Sequence, residues 1–244
     1  MDIIQQLPFP DEICHKIVLY AFKSYHTDLH DEIFKRAVPT DIYQKLVKKG
    51  GIEKVNEHIT KVCVWHDQGE QLIDNAEKKS MQFDIQVLQG LQNLIKFDLY
   101  DTGVFGDIQV LQCLPNLTEF NLNYTGVFGD IKVLQGLRDL IQVDLSNTNV
   151  FGDIQVLQGL PHLSAINFES TGVFGDIKFL QGIQHLIQVD LGNTRVTGDI
   201  INLKSMLNLT EISLSDTHVT GDEEAFNEYR ENAGLEDCAI YLWK

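Results

Sequence analysis

The sequence predicts an α/β solenoid, a coil of stacked turns in which each turn gives one short strand to a shared parallel sheet. Three observations lead there. Gly-Asp-Ile recurs at Gly106, Gly129, Gly152, Gly175 and Gly198, each 23 residues after the last. A constant apolar skeleton runs between these landmarks, as in GDIQVLQCLPNLTEFNLNYTGVF (106–128) and GDIKVLQGLRDLIQVDLSNTNVF (129–151). Within each unit, Phe120 and Leu122 or their equivalents alternate with polar residues, the period of two that a half-buried strand requires. So short a turn cannot bury its own apolar edge. Stacking at a strand spacing of about 4.8 Å merges the edges into one core.

The skeleton L-x-x-L-x-x-L-x-L-x-x-T-x-V-F-G-D-I resembles the leucine-rich-repeat family over residues 83–222. The resemblance implies a curved stack with a concave parallel sheet. Two positions depart from the family pattern. Thr102, Thr125, Thr148, Thr171, Thr194 and Thr217 stand where the family carries asparagine. A threonine hydroxyl still bonds the backbone of the turn, with one donor instead of two. V-F-G-D-I resembles the plant-type L-x-G-x-I-P return without its proline, which leaves open whether a lateral strand or a short helical turn follows. The aspartates of that segment (Asp84, Asp107, Asp130, Asp153, Asp176, Asp199 and Asp222) suggest a calcium ladder, but N-capping of the following turn is the better reading. Turns of the LQGLQNLIKFDL kind alternate with turns of the LQCLPNLTEFNL kind, a 46-residue super-repeat that points to duplication of a two-turn unit.

Four regions follow from this pattern: a helical N-terminal segment (1–58), an N-terminal cap (59–82), the solenoid (83–221) and a C-terminal cap (222–244). In the first, DEICHKIVLYAF places apolar residues three to four apart, as an amphipathic helix does. Leu7-Pro8, Pro10 to Ile13 and Lys16 to Val18 resemble the opening of an F-box. That resemblance implies docking on the Skp-type adaptor of a cullin ubiquitin ligase. A plain helical packing segment is the preferred reading, because the basic-x-tryptophan that closes an F-box is missing. In the C-terminal cap, DEEAFNEYRENAG (222–234) predicts a helix, and residues 235–240 repeat the strand pattern.

Charge narrows the partner. The chain carries a formal charge of −16. Residues 1–80 hold 13 acidic and 11 basic side chains, against 22 and 8 in residues 81–244. A surface this negative repels nucleic acid and anionic lipid headgroups and favours a basic protein. The start shows no signal peptide, and no apolar run approaches the length of a membrane span. Cys14, Cys63, Cys113 and Cys238 lie too far apart for a zinc or redox motif, so reduced thiols in the cytoplasm or nucleus are expected. His26 with His30, and His162 with His185, are weak metal pairs beside this background. No catalytic constellation, metal site or cofactor motif is present.

Two surfaces are expected to bind. On the concave face these are Asp98, Tyr100, Asp101, Glu119, Asn121, Asn123, Tyr124, Asp144, Asn167, Glu169, Asp190, Glu211 and Asp216. Eight of the outward concave positions are acidic and only Lys96 is basic. Along the side, Phe105, Phe128, Phe151 and Phe174 form a stripe, either packed away or open to a partner. The chain therefore reads as a non-enzymatic protein-binding scaffold. The alternatives are a ubiquitin-ligase substrate receptor and a structural subunit of a larger assembly.

Overall fold

The computed structural model describes residues 61–63, 82 and 84–243; the predicted helical segment 1–58 and the helix expected at 69–79 lie outside these residues. Two parallel sheets run the length of the coil. The concave sheet is made of β1 (Lys61–Cys63), β2 (Lys96–Asp98), β4 (Glu119–Asn121), β6 (Gln142–Asp144), β8 (Ala165–Asn167), β10 (Gln188–Asp190), β12 (Glu211–Ser213) and β14 (Ala239–Tyr241), in that order. The lateral sheet is made of β3 (Phe105–Asp107), β5 (Gly126–Asp130), β7 (Asn149–Asp153), β9 (Gly172–Asp176), β11 (Arg195–Asp199) and β13 (His218–Thr220). A 3-10 helix follows each lateral strand up to β11, for example Ile108–Cys113, so the return segment is both a strand and a helical turn.

Each turn closes on the same set of side chains. Ile108, Leu111, Leu114, Leu117, Leu122 and Val127 are all fully buried, and their equivalents above and below extend one core. A buried leucine contributes about 1.5–3 kcal/mol, so the several in each turn offset much of its ordering cost. Every repeated aspartate caps the helical turn after it, as Asp107 does by accepting from the Gln109 N–H at 2.9 Å. Each repeated threonine donates to the carbonyl three residues back, as Thr102 Oγ1 does to Leu99 at 2.7 Å.

Equivalent residues do not stack alike in the two sheets. From β2 to β12 of the concave sheet partners are 23 apart, as in Asp98 opposite Asn121 and Asn121 opposite Asp144. In the lateral sheet the partners are Phe128 with Asn149 and Phe151 with Gly172, 21 apart, so each turn slides by two residues. A slip of two preserves which face a side chain occupies. The stripe is therefore a slanted row, with each phenylalanine opposite the aspartate of the turn before: Asp84–Phe105, Asp107–Phe128, Asp130–Phe151 and Asp153–Phe174.

At the C-terminal end, α1 (Glu223–Asn232) replaces the usual return and is capped by Asp222, which accepts from Glu224 and Ala225. The last strand begins later than the sequence pattern suggests. Ile240, rather than Cys238, stands opposite Ile212. The shift is again two residues, so Cys238 is still buried.

Candidate concave binding face

The strands deliver a groove of about 460 Å³ over the concave sheet. Of the residues expected to bind, Asp98, Glu119, Asn121, Asp144, Asn167, Asp190 and Glu211 line it. Tyr100, Asp101, Asn123, Tyr124, Glu169 and Asp216 sit in the turns that follow the strands, beyond the groove lining. Ser146 and Gly192, which strict alternation places outward, are buried.

The central column has a structural duty that its spacing does not reveal. Asp98, Asn121, Asp144, Asn167 and Asp190 each accept the N–H two residues on, at 3.0–3.1 Å. Asp144 also accepts from the Ser146 hydroxyl at 2.5 Å. These Asx turns lead into a residue held at positive φ in every turn: Asp101, Tyr124, Asn147, Ser170, Asn193 and Asp216, at 52–57°. At the aspartates of the column, one carboxylate oxygen thus serves the turn. Tyr124, exposed at its own positive-φ position, packs edge-on against Tyr100 with ring centroids 6.2 Å apart. Lys96 pairs with Glu119 across neighbouring strands at 2.5 Å.

Asp144 and Glu169 are shifted by their surroundings. Burial pushes the Asp144 carboxyl above its ordinary 3.8, despite the bonds from Ser146, and the charge of Asp190 adds to the shift. Glu169 is raised by burial and then by Asp190 and Asp144. The folded protein therefore holds these protons more tightly than the unfolded chain, and stability falls as pH rises from the ordinary carboxylate range through the raised values. Asp176 works oppositely. Its bond from the Lys178 N–H lowers it, so its contribution is lost as pH falls through its lowered value. The melting temperature is expected to rise as pH falls from neutrality through the raised values of Asp144 and Glu169 toward the ordinary carboxylate range, with Asp144→Asn flattening the rise. A monotonic fall over that range in a thermal melt series contradicts it.

The lateral phenylalanines stand open. Phe105, Phe128, Phe151 and Phe174 are 44–50% exposed. Phe128 and Phe151 border a furrow of about 650 Å³ with Gln109, Gln112, Lys132 and Gln135. His162 and His185 are exposed in adjacent turns. Among the described residues, no group of three or more His, Cys, Asp or Glu is placed to hold a metal ion, and no helix is long and apolar enough to cross a membrane.

Two features escape the sequence reading. Arg230 is fully buried, with no signal beyond its place in a predicted helix. Ile95, Ile141 and Ile187, each just before a concave strand, are 38–44% exposed. Their signal was the 46-residue alternation, which carries no chemistry until the fold shows which face it occupies.

No protein-family model matches the chain, and comparison with curated proteins finds no match. Solved structures do resemble it. The plant peptide hormone receptor RGFR1, in complex with RGF2, aligns with a TM-score of 0.59 at 16% identity, over 79% of this chain and 34% of the receptor. The leucine-rich-repeat ectodomain of the Arabidopsis receptor kinase HAESA, in complex with an extended IDA peptide hormone, gives 0.55 at 22% identity, over 64% of this chain and 27% of its own. A leucine-rich-repeat protein of Leptospira interrogans gives 0.50 at 17% identity, over 63% and 38%. The chain spans about a third or less of the two plant receptors. With two parallel sheets wound in 23-residue turns and these structures alongside, the chain has the leucine-rich-repeat fold.

Proposed function

We propose that the chain is a non-enzymatic scaffold that binds a basic protein or peptide across its concave face. The observation that carries this reading is the charge of the groove lining, where Asp98, Glu119, Asp144, Asp190 and Glu211 face a single ammonium, that of Lys96. Charges arranged in this way speed encounter with a cationic partner and reject anionic ones. Two of the similar structures are receptors with peptide hormones bound, which supports a peptide or protein as the ligand class. The open phenylalanine stripe favours a second contact on the side of the coil, since exposed apolar rows of this kind mark interaction sites. The rival reading, a ubiquitin-ligase substrate receptor with a Skp-type adaptor at residues 7–48, is tested by co-purification with that adaptor.

The experiment is affinity capture with the triple variant Asp98→Asn, Asp144→Asn, Asp190→Asn. Asparagine keeps the oxygen that each Asx turn needs, as Asn121 and Asn167 show in neighbouring turns. The expected result is loss of the captured partner in the variant, and loss with rising salt in the wild type, because exposed charge contacts are screened. An unchanged set of captured proteins ends the concave reading.

A further inference from the structure

The concave sheet ends on two aromatic side chains that stand just beyond the groove lining. Among the described residues β14 is its last strand, with Glu211 opposite Ala239 and Ser213 opposite Tyr241. The Asp216 N–H donates to the Trp243 carbonyl at 2.8 Å, which carries the register on and sets Trp243 opposite Ser215. Ile240 and Leu242 pack against the core, so Tyr241 and Trp243, which alternate with them, point to the concave side with Glu211 and Ser213. Tyr241 is 40% and Trp243 71% exposed. Their neighbours in the preceding turn are serines, whose side chains are too short to cover a ring.

An exposed ring offers its face to a cation, and the chain's own cations are placed elsewhere. Lys178 lies 5.2 Å from the Phe179 ring and Lys204 4.2 Å from the Tyr229 ring. Among the described residues, none stands over Tyr241 or Trp243. The nearby carboxylates are in the same position: the ion pairs join Lys96 to Glu119 and Lys178 to Asp176, and Asp190 and Glu211 have no cation among the described residues. Asp190, Ser213 and Tyr241 lie in line across β10, β12 and β14. Two strand spacings, about 9.6 Å, separate the acid from the tyrosine. A cation reaches a carboxylate at up to about 4 Å and a ring centroid at up to about 6 Å, so one cation above Ser213 meets both. Arginine suits that place better than lysine, because its planar guanidinium stacks on a ring while its N–H edge bonds a carboxylate.

We propose that the C-terminal end of the concave face seats an arginine side chain of the partner, above Ser213, between the rings of Tyr241 and Trp243 and the carboxylates of Asp190 and Glu211. This rests on the acidic-face reading above and adds an anchor to it. The carboxylates attract any cation; the rings select arginine.

The test uses the full chain and two fluorescein-labelled peptides of equal charge, hexa-arginine and hexalysine, followed by fluorescence anisotropy at about 0.1 M salt. The wild type is expected to bind hexa-arginine roughly threefold or more tightly than hexalysine. Tyr241→Ala combined with Trp243→Ala should abolish that preference and leave hexalysine binding little changed, which also shows the variant to be folded. Trp243→Ala alone, at the more exposed ring, should reduce the preference in part. Glu211→Gln keeps an oxygen for the Gln188 amide and should weaken both peptides. Equal affinity of the wild type for the two peptides, or a preference that survives the loss of both rings, overturns the arginine seat and leaves the acidic-face reading standing. Binding of neither peptide overturns both.

Discussion

Replacing Arg230 with methionine is expected to lower the melting temperature by roughly 10 °C and to open the C-terminal helix to proteases. Arg230 is fully buried where α1 closes the end of the coil, and it bonds backbone instead of a carboxylate. Its Nη1 donates to the Met206 carbonyl at 2.7 Å, its Nη2 to Leu209 and Glu236 at 2.8 Å, and its Nε to Glu236 at 3.0 Å. The guanidinium thus ties the final turn, the helix and the loop before the last strand to one point. Its face also lies 5.8 Å from the Phe226 ring. Methionine fills much of the volume but leaves three carbonyls without donors. Each buried orphan costs about 1–3 kcal/mol, and breaking such a buried charge site costs about 3–5 kcal/mol. Lysine keeps the charge and loses the planar fork, so it should rescue only part. A melt and limited proteolysis of the three proteins decide the matter; a methionine variant as stable as the wild type removes the arginine from its proposed place.

The contrast between this arginine and the repeats shows what a sequence discloses. Leu117, Phe120 and Leu122 were legible because burial imposes a period on six turns at once, and any one turn confirms the rest. The caps of Asp107 and its equivalents were legible for the same reason, since a cap depends on the next few residues of its own turn. Arg230 occurs once, and its three partners lie 6 to 24 residues away, so no pattern announces it. The concave face was half legible. Its charge followed from alternation, but the Asx role of Asp98, Asp144 and Asp190 did not, because an acceptor for a turn and an acid for a ligand look the same in a string. The phenylalanine stripe shows a different limit. Its position in the repeat predicted a vertical stack, and the register of 21 instead of 23 in the lateral sheet tilted it.

That same tilt explains why the repeated glycine precedes the aspartate, and it yields the second large effect. Gly129→Ala is expected to destabilise the protein by roughly 2–4 kcal/mol, while Gly136→Ala, seven residues on, is close to neutral. Gly129 sits at φ +129°, where an L side chain is strained, at a cost of about 1–3 kcal/mol. A Cβ there would also lie 2.5 Å from Oδ1 of Asp107 and 3.0 Å from Cγ1 of Ile108. Asp107 is the cap of the turn below, so the methyl would displace the oxygen that accepts from the Gln109 N–H, a loss of about 1 kcal/mol. Glycine in one turn is thus the space that the capping aspartate of the previous turn occupies, and the two residues are coupled across the stack. Gly136 meets nothing within 4 Å and has no positive φ. Urea melts of the two variants separate the cases: equal midpoints mean that Gly129 is under neither constraint, whereas a fall confined to Gly129→Ala reports its backbone strain and its crowding against Asp107 together. A double variant with Asp107→Ala sharpens the result, because part of the penalty at Gly129 should disappear once the crowded carboxylate is gone.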